Sequence, residues 1–122
     1  MPSNYENVRS ITRVAGADLS DSQYRFVKVG SDGRVVLSGN GERAVGVTGG
    51  KAAENRAIEV AFSGRVLVIA GAAVTAGDKV QSDANGAVIT QASTGIVCGE
   101  ALETASQAGE LISVLLDAQG AP

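Results

Sequence analysis

The 122-residue sequence holds no histidine, no tryptophan, a single cysteine and two prolines. Each shortage removes a class of function. Without histidine there is no Ser-His-Asp or Cys-His relay, most zinc sites lose a ligand, and the commonest general base is missing. The lone Cys98 excludes an intramolecular disulfide and fits synthesis in a reducing compartment. It lies in an apolar run with no nearby cation, the setting of a buried structural thiol and not of a nucleophile. Aromatics make up only 3% of the chain, too few for a stacking platform. The ten Lys and Arg residues are scattered, and beyond Lys79 every charge is acidic: Asp83, Glu100, Glu103, Glu110 and Asp117. No nucleic-acid partner is expected from such a distribution. The longest apolar stretch, Val66–Val74, is about half of the ~20 residues that a spanning helix needs, so no membrane partner is expected either. The opening MPSNYENVRS shows no basic-then-apolar leader, and export by the usual route is not expected.

What the chain has is small: 44% hydrophobic residues, mostly Ala and Val, and 16 glycines. A core of small side chains buries little area per residue, and contact with other chains would add to it. Short β-rich runs alternate with Gly-containing turns. Phe26–Val29 and Arg34–Leu37 flank Asp32-Gly33 and read as a hairpin. Ala44–Thr48 is a further strand. Ala57–Phe62 alternates, Ser63-Gly64 reads as a turn, and Arg65–Ala70 reads as a central strand buried on both faces. The pattern then recurs at an offset of roughly 51 to 54 residues. Asp78–Gln81, Asn85-Gly86, Ala87–Thr90, Ile96–Ala101 and Leu111–Leu115 echo the earlier runs. The expected fold is mainly β, a compact barrel or sandwich built from two related ~50-residue units, about 24–64 and 76–117. Helix is expected in at most one or two short pieces. Ala101–Gly109 suits a short helix or a loop equally, and so does Lys51–Arg56. Residues 1–19 read as an extended N-terminal arm with a weak edge strand over Val8–Val14, and 20–122 as a single β domain.

The motifs that suggest chemistry have plainer readings. Glu100 with Glu103, or Glu6 with Asp18, are conceivable carboxylate pairs, but solvated surface charge accounts for them. Asp32 and Asp83 sit in turns, where their side chains bond locally. Calcium would need a denser run of acids. Gly39-Asn40-Gly41 and Gly46–Gly50 lack the Lys-Ser/Thr ending of a phosphate loop and read as turns. Lys79 resembles the modified lysine of a carrier hairpin, although a strand start after Gly77-Asp78 explains it better. No catalytic residue, metal or cofactor is expected.

Three segments and a turn carry a resemblance. Ala73–Val80, the turn at Gly86, Gly95–Leu102 and Ala108–Leu116 together resemble the bacteriophage capsid decoration, or cement, proteins. The likeness covers Ala57–Leu116 directly, and the first half through its internal echo. It implies a viral structural protein on the outer capsid surface, made in the host cytoplasm, that binds the major capsid protein and bridges neighbouring subunits. It also implies a homo-oligomer, with a trimer favoured. Family members use N-terminal arms on the capsid, which maps capsid contact onto Pro2, Ser3, Asn4, Tyr5, Glu6, Asn7, Val8 and Arg9, with Tyr5 and Val8 as apolar anchors. The alternatives are a β domain of another viral or surface assembly, such as a tail or fibre component, and a small-ligand-binding β-barrel.

Overall fold

The computed structural model describes residues 6–92 and 94–116, with the side chains of Glu6 and Asn7 excepted. Among these residues there is no helix. Nine strands follow one another: β1 (Glu6–Val14), β2 (Phe26–Val29), β3 (Val35–Leu37), β4 (Gly46–Thr48), β5 (Ala57–Ile69), β6 (Lys79–Ser82), β7 (Val88–Thr90), β8 (Gly99–Ala101) and β9 (Leu111–Leu116). They form one antiparallel sheet in the order β3-β2-β4-β5-β9-β8-β6-β7, with β1 also paired to β5. The sheet curls into a half-barrel around the larger apolar core.

The two tight hairpins form where the sequence places Gly behind an acidic or amide residue. At β2–β3, Gly33 takes φ +86° and its N–H donates to the Gly30 carbonyl at 2.9 Å. Asp32 Oδ1 accepts the Arg34 N–H at 3.0 Å. At β6–β7, Gly86 takes φ +78°, while Asp83 Oδ1 accepts the N–H groups of Asn85 and Ala87 at 2.7 and 3.0 Å. Glycine meets such angles without steric cost, and the carboxylate satisfies turn amides.

Ser63-Gly64 is not a turn. One 13-residue strand, β5, runs straight through it. Arg9 pairs with Ser63 and Ser10 with Ala61, which leaves Phe62 as an extra residue, a β-bulge. Ala61 is flanked by Ser10 and Val47, and Arg65 by Glu6 and Leu115. So β1 lies along one edge of β5, and β4 then β9 share the other. The bulge reverses the alternation. Before it, Ile58 and Val60 enter a smaller core with Ala15, Leu19, Val27 and Val35. After it, Val66 and Val68 join Ala61, Phe26, Val80, Ile112 and Val114 in the larger one. β5 is central, as expected, but its second half is not buried on both faces. Val66 and Val68 are buried while Arg65, Leu67 and Ile69 on the other face are half-exposed.

Ala101 closes β8, and residues 102–109 form a loop because their backbone bonds go outward. Leu102 N–H donates to the Ser113 carbonyl, and Ala105 and Val74 exchange bonds across an isolated bridge. Lys51–Arg56 likewise serves β1's end, with Asn55 N–H donating to Ala15 and Ala15 N–H to Arg56.

Candidate docking surface

The described residues contain no group of three or more His, Cys, Asp or Glu placed to hold a metal ion. Among the described residues no helix is long and apolar enough to cross a membrane. Cys98 is buried at 1% exposure, with its sulfur 3.9 Å from the Glu42 carbonyl, and burial pushes its pKa up. A thiol held protonated in this way is a poor nucleophile.

The carboxylates singled out by sequence are tied locally. Glu103 Oε1 accepts the Ser113 N–H at 2.7 Å, Asp18 Oδ1 accepts from Ser20, and Glu100 lies opposite Leu115 and Lys79. The Glu6 side chain lies outside the described residues. Lys79 opens β6, and Gly46 belongs to β4 instead of a loop. A Cβ on Gly46 would stand 2.1 Å from the Ala61 carbonyl oxygen. That glycine is required by the close approach of two strands.

Two apolar areas reach solvent instead. The first is an open groove of about 980 Å³ whose walls include Ile11, Val29, Val45, Phe62 and Ile96. Ile11, Val29 and Phe62 are 40%, 49% and 38% exposed. The Phe62 bulge and the end of β2 project these side chains beyond the smaller core. One wall is the segment Gly41–Val45, fixed from beneath by Gln81. This glutamine is buried, donates to Asn40 Oδ1 at 3.1 Å and accepts the Ala92 N–H at 2.8 Å. Gly41 N–H donates to the Ser82 carbonyl, and the Gly41 carbonyl accepts from Ile96. At the rim, Lys28 Nζ meets Glu42 Oε1 at 2.7 Å. That hydrogen bond, with a second from Gly39 N–H, holds the Glu42 carboxyl below the usual glutamate range. Arg43 is exposed beside it.

The second area lies on β9 and the loop after β8. Ile112, Val114 and Leu116 enter the larger core, whereas Leu111 and Leu115 face outward at 45% and 42% exposure, with Leu102 at 41%. Exposed apolar patches on a small domain mark interaction surfaces.

Sequence reasoning missed both areas. Their residues are distant along the chain, and only the apolar run of β9 hinted at one. The stretch expected to contact a capsid is divided by the structure. Pro2, Ser3, Asn4 and Tyr5 lie outside the described residues. Glu6, Asn7, Val8 and Arg9 begin β1, where Glu6 pairs with Arg65 and Arg9 with Ser63 of β5 across a break in register, so that part belongs to a sheet strand. Val8 is partly buried and packs against the protein's own larger core.

No curated protein sequence matches the chain. Among solved structures, the N base of the head fibre gp8.5 of bacteriophage phi29 is similar, with a TM-score of 0.73 at 21% identity over 90% of this chain and 94% of that one. That likeness shows a shared fold. The model of the phage cement protein family matches residues 22–116. The β domain with its outward apolar surfaces is therefore that of a capsid-associated structural protein at the virion surface, and the chain belongs to the phage cement protein family.

Proposed function

We propose that this protein binds the major capsid protein on the outer shell and braces neighbouring subunits by bridging them, without a catalytic step. The observation that carries the reading is the family match across residues 22–116. Bridging fits a small domain with more than one exposed apolar area. Separating two capsid subunits then requires breaking cement contacts too, and many weak contacts add on a repeating lattice. We assign the capsid contact to the stretch from Pro2 to Arg9, of which Arg9 is exposed, and the trimer to the assembly on the shell.

Purified protein mixed with expanded capsids of its own virus is expected to fill symmetric sites in an electron-microscopy map and to raise the temperature of capsid disruption. Failure to bind those capsids refutes the proposal. The likeness to a head fibre base favours one second reading, a component at the foot of a fibre. Density that continues outward from each bound copy in native virions distinguishes the two.

A further inference from the structure

We infer that the groove seats an extended segment of the capsid subunit, held by backbone bonds to a glycine of that segment. The inference rests on the capsid binding proposed above and names what the groove holds. A seat of matching build is already filled inside the chain. Backbone bonds recur along the sequence with both partners displaced by one interval. Val45 N–H donates to Val27 as Cys98 does to Val80, Ser38 to Phe26 as Gln91 to Lys79, and Glu42 to Gly39 as Gly95 to Ala92. Ile11 faces Val60 between β1 and β5, as Val66 faces Val114 between β5 and β9. The groove residues Ile11, Val45 and Phe62 thus match Val66, Cys98 and Leu116. Those three are buried, in a core shared with Phe26, Ala44, Val47 and Ala61 from the first half of the chain.

Beside them one residue stitches the halves together. Gly41 N–H donates to the Ser82 carbonyl at 2.9 Å, and its own carbonyl accepts from Ile96 at 3.0 Å. The matching groups at the groove are the Val29 carbonyl and the Arg43 N–H. Among the described residues no hydrogen bond joins these two, and the Arg43 N–H has no partner. Apolar walls beside open backbone groups are what an added extended segment uses. A second copy of this chain does not supply the stitch. Its matching surface carries exposed Thr94, Lys79 and Glu100 where the first half has Gly41, Phe26 and Val47. Gly41 takes φ +70°, an angle that Thr94 does not adopt and that a β-branched residue resists. The occupant therefore brings glycine at the bonding position, with a bulky apolar side chain near it to cover Ile11 and Phe62 as Phe26 does in the filled seat.

Hydrogen exchange read by mass spectrometry compares the free protein with protein bound to expanded capsids of its own virus. Fragments that hold Arg43 are expected to exchange about tenfold more slowly on the shell. Val29→Cys carrying a photo-crosslinker is expected to join a glycine-containing stretch of the major capsid protein, while buried Cys98 stays unlabelled. Phe62→Ser is expected to weaken capsid binding about tenfold. Where that variant does not fold, Ile11→Ser, at an exposed position of β1, takes its place. Bound protein whose Arg43 exchange is unchanged overturns the inference and leaves capsid binding standing. Crosslinks to a second copy, to this chain's own residues or to a capsid stretch without glycine overturn it as well. Failure to bind capsids at all refutes the proposed function, and the inference with it.

Discussion

Gly46 and Gly99 occupy corresponding places in β4 and β8, and each is expected to tolerate no side chain. An added Cβ at Gly46 would meet the Ala61 carbonyl oxygen at 2.1 Å and Val60 Cγ1 at 2.8 Å. At Gly99 it would meet the Leu115 oxygen at 2.4 Å and Val114 Cγ1 at 3.0 Å. The Gly46 contact is roughly 1 Å inside any tolerable approach, and the obstacle is backbone, which cannot rotate away. Retreat is blocked because β4 is paired to β2 on its other side through Val27↔Gly46. Overpacking of this kind costs about 1–3 kcal/mol. Weakening one or two ladder bonds between β4 and β5 adds about 1 kcal/mol each. Neither glycine has a positive φ, so alanine is conformationally allowed and regains about 0.4–1 kcal/mol by restricting the unfolded chain. The net expectation for Gly46→Ala is a loss of about 2–3 kcal/mol, or roughly 6–15 °C in Tm for a domain of this size. Gly99→Ala should lose somewhat less. Gly50 is the control, since nothing lies within 4 Å of its added Cβ and its φ is not positive. Gly50→Ala should be neutral or slightly stabilising. Calorimetry or urea unfolding of the three variants decides the matter. A Gly46→Ala protein as stable as Gly50→Ala refutes the steric reasoning.

Thr48 is buried, donates from Oγ1 to the Ser22 carbonyl at 2.5 Å and accepts the Arg25 N–H at 3.1 Å. Thr48→Val keeps the shape and strands both groups, so urea unfolding should show a loss of about 1–3 kcal/mol, and no loss contradicts the bonding. Cys98 should react with a thiol reagent only as fast as the protein opens, because it is buried and its pKa is raised. Rapid labelling of the native protein at pH 8 contradicts that placement. Glu42 is held low by Lys28, Asp32 by Arg34, and Asp18 and Glu110 by serines. A folded pKa below the unfolded one gives stability that is present above the ordinary carboxylate values of about 4 and is lost as pH falls through the lowered ones. Tm should therefore drop on acidification from pH 5 to 3, and less steeply in Glu42→Gln. A rise in Tm over that interval contradicts the assignment.

Sequence reasoning located the strands well because their boundaries are local. Asp32-Gly33 and Asn85-Gly86 place their hairpins through backbone angles and Asx bonds that depend on nearby residues alone. It failed at Ser63-Gly64 because the same residues serve a turn or a bulge. The choice was made by β1, more than fifty residues earlier, which pairs along β5 on both sides of Phe62. The loop at 102–110 has the composition of a helix, and partners at Val74 and Ser113 outbid the intrahelical bonds. The groove was not legible at all. Ile11, Val29, Phe62 and Ile96 become neighbours only after the sheet curls, and the residue that sets its wall, Gln81, appears in sequence as a lone polar interruption of a strand.

The outer leucines leave apolar surface that the described fold does not bury. Leu111–Leu116 reads LISVLL, apolar almost throughout, which is the composition of a strand covered on both faces. The fold covers one. Ile112, Val114 and Leu116 are buried inside the half-barrel, while Leu111 and Leu115 face outward beside the half-exposed Leu67 and Ile69 of β5. Leu111 and Leu115 keep 45% and 42% of their surface in water, so part of what a leucine can gain by burial is not gained within the chain. The bulge at Phe62 has the same consequence on the other side of the sheet. By reversing the alternation of β5 it leaves the aromatic ring 38% exposed along the groove. A second surface laid on either area would take the remaining apolar surface out of water.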